Sequence, residues 1–154
     1  MSDKDASDKG EQKNVSVLTI KTRARICLVQ ALYQIHITND SWEKVVRDFA
    51  IKEQERAKQW AYFIAYVEEA KKAHFQDFDD MIIGALPENW KFDRMNALLL
   101  SILRAALFEF VHFPETPKAV LISEYLNISH AFFDQDEPRF VNGILQAIAS
   151  RLRG

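Results

Sequence analysis

The stretch from Met95 to Phe113 constrains this chain most, because its apolar residues leave no polar side for water. Leu98, Leu99, Leu100, Ile102, Leu103, Ala106, Leu107, Phe108, Phe110 and Val111 point in every direction around a helix. A helix that is hydrophobic all round has to be enclosed by other elements, so this one belongs in the middle. An earlier stretch, Lys21 to Ile37, carries a matching surface. Ala24, Cys27, Leu28, Ala31, Leu32 and Ile35 recur at helical spacing and define a core-facing side. A second apolar row, Ile26, Val29, Tyr33 and Ile37, lies nearly opposite. That helix therefore packs on two sides or keeps one row for a ligand.

Only four glycines and four prolines occur in 154 residues. The one strand-like alternation, Val15 to Ile20, is weak and has no partner, so it is read as the approach to the first helix. The fold class expected is all-α. After Asn39, Asp40 and Ser41, which offer capping oxygens, Trp42, Val45, Val46 and Phe49 mark a short second helix. From Ile51 to Ile83 helical spacing persists without Gly or Pro. One helix of that length would run about 50 Å, too long for so small a globule, so a break is expected near Lys71 to Gln76. Gly84 to Trp90 reads as a loop. Pro114 stops the central helix, and Thr116-Pro117 restarts the chain with a capping hydroxyl and a proline suited to a first turn. Asp136, read as an N-cap, opens a last helix with Phe140, Val141, Ile144, Leu145, Ile148 and Leu152 as its buried row. Arg151 and Arg153 at its end suit the helix dipole and need no further role.

Residues 1–14 are polar and charged with almost nothing apolar, and so cannot offset the entropy of ordering. They are expected to be a disordered tail ahead of one domain spanning 15–154. Hydrophobic content of 48% supports a real core in that domain. Cys27 is the only cysteine, which excludes an intramolecular disulfide and a cysteine-cluster metal site and suits a reducing cytoplasm. No apolar run approaches the roughly 20 residues of a membrane span, and the start is not signal-like, so a soluble, cytoplasmic protein is expected.

Net charge of -2 argues against a generic nucleic-acid binder, whose domain pI usually exceeds about 9. Any such contact must be a local patch. Lys21, Arg23 and Arg25 crowd the start of a helix, where cations repel one another and oppose a dipole that prefers anions. A solvated basic start is the plain reading; a bound polyanion would relieve the conflict. Arg104 and Glu109 sit inside the apolar helix and must be paired, which gives them structural roles. His36, His74, His112 and His130 show no His-x-x-x-His spacing, and no phosphate loop, nucleophile elbow or metalloprotease signature occurs. No catalytic residue, metal or cofactor is therefore expected. Asp79-Asp80 reads as a solvated helix face. Asn142-Gly143 lacks flanking strands, so Gly143 is read as allowing close approach of a neighbouring helix, with Asn142 satisfying a helix-end or loop backbone group.

Three segments carry a family resemblance. Arg23-Ala24-Arg25 with Leu28 and Gln30-Ala31-Leu32-Tyr33 resembles the amino-terminal signature of the NusB family of bacterial transcription antitermination factors. Ile102 to Glu109, with Leu103-Arg104, resembles the family's Leu-Arg-x-Ala-x-Tyr-Glu segment. Arg139-Phe140-Val141-Asn142-Gly143-Ile144-Leu145 resembles its basic-Phe-Val-Asn-Gly motif. The resemblance implies about seven helices in two packed small bundles and no enzymatic activity. It also implies binding of single-stranded boxA RNA, pairing with the ribosomal protein NusE, and loading of an antitermination complex on RNA polymerase. Lys21, Arg23, Arg25, Gln30, Tyr33, Arg139 and Phe140 are the RNA contacts it implies, with Asp136 near the same surface. Two departures stand out: the family often has arginines where this chain has Lys21 and Thr22, and some relatives have an acidic residue where Leu99 stands. The alternatives are a detached RNA-binding domain related to ribosomal RNA cytosine methyltransferases, or a helical protein scaffold that could form a homodimer through the second row of the first helix.

Overall fold

A computed structural model describes residues 19–53 and 56–153. The expected tail at 1–14 and residues 15–18 of the approach to the first helix lie outside the described residues. Seven α-helices and a 3₁₀ turn make up the described chain: α1 (Ile20–Thr38), α2 (Trp42–Glu53), α3 (Ala57–Ala70), α4 (Phe75–Ala85), the turn Phe92–Arg94, α5 (Ala97–His112), α6 (Lys118–Phe132) and α7 (Asp136–Arg153). No strand occurs among the described residues.

Helix α5 is the centre. Ile102, Leu103, Ala105, Ala106, Leu107, Phe108 and Glu109 are fully buried, and α1, α4, α6 and α7 all pack against it. Helices α1, α2 and α3 form one small bundle and α4 to α7 the other, with the α1–α5 contact joining them. Asn96 starts α5 by accepting from the amides of Leu98 (2.9 Å) and Leu99 (3.1 Å) through its side-chain oxygen. Those are two of the donors that a helix start leaves unpaired. Helix α1 begins under Thr19, whose hydroxyl accepts from the Thr22 amide at 3.0 Å. It ends on Asn39 in the left-handed region, φ 58°, with the Asn39 amide on the Ile35 carbonyl at 2.8 Å. Asparagine is among the few residues besides glycine that enter that region routinely.

The break expected near Lys71 to Gln76 occurs between Ala70 and Phe75. Other boundaries moved. Helix α2 runs on to Glu53, and α4 continues through Gly84 to Ala85. Pro117 rather than Thr116 takes the cap position of α6, and it makes no side-chain cap bond. Asp136 is the first helical residue of α7, not its cap; the Arg139 amide reaches back to the Gln135 carbonyl at 3.3 Å.

Two side chains expected to be idle or solvated hold the bundle together. Arg153 reaches from the end of α7 to the carbonyls of Phe110 (2.9 Å), Phe113 (3.3 Å) and Thr116, with its guanidinium over the Phe110 ring at 5.0 Å. It thus satisfies one acceptor that the last turn of α5 leaves open and two in the segment that follows. Asp79 is not on a solvated face. It is buried on α4 and pairs bidentately with Arg104 of α5, both bonds 2.7 Å. Arg104 Nη1 also meets His36 Nδ1 at 3.2 Å. Gly143 is exposed on α7, and a Cβ built there would meet no atom within 4 Å. No neighbouring helix among the described residues approaches it, so Gly143 does not serve close packing as the sequence suggested. Asn142, half-buried in mid-helix, accepts from Gln146 at 3.5 Å rather than serving a helix end.

Candidate nucleic-acid interface

Helical geometry separates the three cations at the start of α1. Residues two apart point about 200° from each other, so Arg23 cannot share a side with Lys21 and Arg25. Arg25 is turned inward and is only 3% exposed. Its Nε donates to Glu109 Oε1 at 2.7 Å, its Nη2 to Glu109 Oε2 at 3.2 Å, and its Nη1 to Glu124 Oε1. Tyr125 donates to Glu109 Oε1 at 2.6 Å, and the Thr22 hydroxyl to Glu124 Oε1 at 2.6 Å. Burial pulls against the charged form of Arg25, but the hydrogen bond and charge of Glu109 hold its pKa above the usual value. Arg25 is therefore removed from the RNA-contact set: a guanidinium bidentate to one carboxylate and bonded to a second is not on offer to a phosphate. Its work is to tie the first turn of α1 to α5 and α6.

Tyr66 and Tyr125 lie in this buried cluster with Glu109. Burial and then the Glu109 charge raise both phenols above their ordinary value of 10.0, Tyr125 well above it. In the unfolded chain they would ionise near that value, so the native state binds more protons at higher pH, and stability must fall as pH rises past it. Stability is expected to be insensitive to these two groups below about pH 10 and to drop by up to about 1.4 kcal/mol per group per pH unit above it. Urea unfolding across that range checks this, and Tyr66→Phe should reduce the slope.

The outward side of α1 holds Arg23, Ile26, Gln30, Tyr33 and Ile37, spaced so that all five share one stripe. Arg23 and Ile26 are half-buried, Gln30 is exposed, and Tyr33 and Ile37 are 40% and 58% exposed. Of the second apolar row only Val29 is buried. Lys21 lies on another side, its ammonium 5.8 Å from the centre of the Tyr62 ring on α3. Tyr62 is 45% exposed. Sequence reasoning missed it, because it resembled any other apolar position in a long helical run.

The second group sits at the start of α7. Arg139 and Asp136 are exposed, and Phe140 is half-buried against the core. One face of Phe140 is already covered: the Trp90 ring stacks on it with centroids 4.4 Å apart and planes 20° from parallel. Leu99 is buried in α5 and presents nothing to a partner. Helices α1 and α7 both pack on α5, so the central helix sets the spacing between the two groups. No set of three His, Cys, Asp or Glu side chains among the described residues could hold a metal.

A cation, an amide and an open phenol along one helix, with a second cation beside stacked rings, can hold phosphate and base but offers no nucleophile with an activating base. The sequence profile of the NusB family matches residues 22–150. Transcription antitermination protein NusB of Gluconobacter oxydans is 34% identical across 85% of this chain and 87% of its own. Its namesake in Agrobacterium fabrum is 33% identical across 97% and 96%. The chain belongs to the NusB family. NusB of T. maritima superposes with a TM-score of 0.71 at 24% identity over 84% of this chain and 90% of that one. NusB of Aquifex aeolicus gives 0.72 at 19% over 85% and 88%. At those identities the two structures speak for the shared NusB fold. The family is one of transcription antitermination factors, as the names of these relatives state. No helix among the described residues is long and apolar enough to cross a membrane.

Proposed function

We propose that this NusB-family protein is an RNA-binding adaptor that engages boxA single strand together with ribosomal protein NusE, so that an antitermination complex assembles on RNA polymerase in the cytoplasm. The observation that carries the reading is the α1 stripe. Arg23, Gln30 and Tyr33 stand on the outward side of a helix whose inward side is locked by Arg25 to two carboxylates. Arg23 takes a phosphate, Gln30 bonds a base edge or sugar, and Tyr33 stacks on an unpaired base. Arg139 of α7 takes a second phosphate, and Lys21 contributes at the edge. Phosphate contacts hold the strand in register, and unpaired bases are read by stacking and edge bonds. With so few cations the strand is held weakly by this chain alone, which is why a protein partner belongs in the assembly. The relatives, matched along most of their own length, are antitermination proteins by name. That supports this reading over a detached methyltransferase domain.

Arg23→Ala is expected to weaken binding of a labelled boxA oligonucleotide by about 1–2 kcal/mol, roughly 5- to 30-fold, as one charged hydrogen bond is lost. The slope of log K against log salt should shrink by about 0.7. Fluorescence anisotropy over a salt series measures both. Unchanged affinity and slope would remove α1 from the interface. Arg25 cannot serve in this test, since its loss would act through folding.

A further inference from the structure

We infer that Trp90, rather than Phe140, is the ring on which an unpaired base stacks at the α7 end of the interface. The inference rests on the RNA-binding reading above and names a contact which that reading lacks. Phe140 is half-buried, packs on the core, and has one face occupied by Trp90 at 4.4 Å and 20°. Trp90, the more exposed partner of this stack, is 44% exposed. Trp90 stands between α4 and the 3₁₀ turn, with its amide bonded to the Pro87 carbonyl at 2.9 Å. The loop thus holds the indole by backbone as well as by ring contact. A planar aromatic already stacked on one side, and therefore limited in orientation, loses little freedom when a base adds to the stack. Trp42 and Trp60, by contrast, are half-buried against the core.

The surrounding charge says which part of a nucleotide the site takes. Lys91, Arg94 and Arg139 lie near the two rings in sequence and are exposed, but so are Glu88 in the loop, Asp93 in the 3₁₀ turn and Asp136 at the start of α7. Cations and carboxylates nearly cancel, so phosphate attraction cannot dominate here. Stacking has to, and stacking tolerates many bases and depends little on salt. A protein partner could also seat on an exposed indole. The stacked, charge-balanced ring beside a helix that bears Arg139 favours the base.

The test uses a labelled boxA oligonucleotide with the wild type, Trp90→Ala, Trp90→Phe and Arg23→Ala. Trp90→Ala should lower affinity about 5- to 100-fold with an unchanged salt slope, and Trp90→Phe should recover most of the loss. RNA should quench the wild type's tryptophan emission, and Trp90→Phe should abolish that quenching. Binding by Trp90→Ala at wild-type strength, or quenching that persists in Trp90→Phe, overturns the assignment. So does a loss of NusE binding with RNA affinity kept, which would make the ring a protein contact. If Arg23→Ala weakens binding while Trp90→Ala does not, this inference alone fails. If the wild type does not bind the RNA, the adaptor reading fails with it.

Discussion

Glu109→Ala is expected to destabilise the fold by about 3–5 kcal/mol, because it leaves the Arg25 guanidinium charged in a site that is almost closed to water. Glu109 is 0% exposed and accepts two bonds from Arg25 and one from Tyr125. Its removal strands three donors at once, and an unpaired buried donor costs more than the bond it made. Glu124 cannot replace it: it lies on α6, is 19% exposed, and already accepts from Thr22 and Arg25. Thermal or urea unfolding reads the loss. Arg25→Ala in the same background should add much less than it costs alone, since the two residues act as a unit. A loss under about 1 kcal/mol would show that the network is incidental to the fold.

The second large effect belongs to the other ion pair. Asp79→Ala should cost about 2–4 kcal/mol, at or somewhat below the range for a fully buried pair because Arg104 retains 15% exposure. Asp79 is what joins α4 to α5 in polar terms, through two bonds of 2.7 Å. Without it, Arg104 keeps among the described residues only the contact with His36. Amide exchange in residues 75–85 should quicken more than in α6, because the lesion frees α4 first. Equal loss of protection in both helices would refute that local account.

A sequence displays its own periodicity but not the distant partners of its charges. The all-round apolar run from Leu98 to Val111 announced a central helix, and helical spacing across residues too numerous for one rod announced the break after Ala70. Both follow from local periodicity. That Glu109 and Arg104 need partners also follows from local burial, but who those partners are is a tertiary matter: Arg25 and Asp79 are 84 and 25 residues away. Charges at alternate positions look clustered on paper yet fall on opposite sides of a helix, so Arg23 and Arg25 could not both have faced one ligand. Gly143 misled for another reason, since a helical glycine suggests close packing whereas here it stands open to solvent. Trp90 left no trace because a loop has no period from which to judge which way a ring points.

Helix α5 serves as a wall for both bundles. The α1–α3 bundle has no floor of its own apart from α5, so damage that displaces α5, as distinct from the local freeing of α4, reaches the opposite end beneath α1. A substitution far from Arg23 and Tyr33 can thus silence binding without touching the strand, and loss of recognition in a variant identifies a contact residue only when its folding is intact.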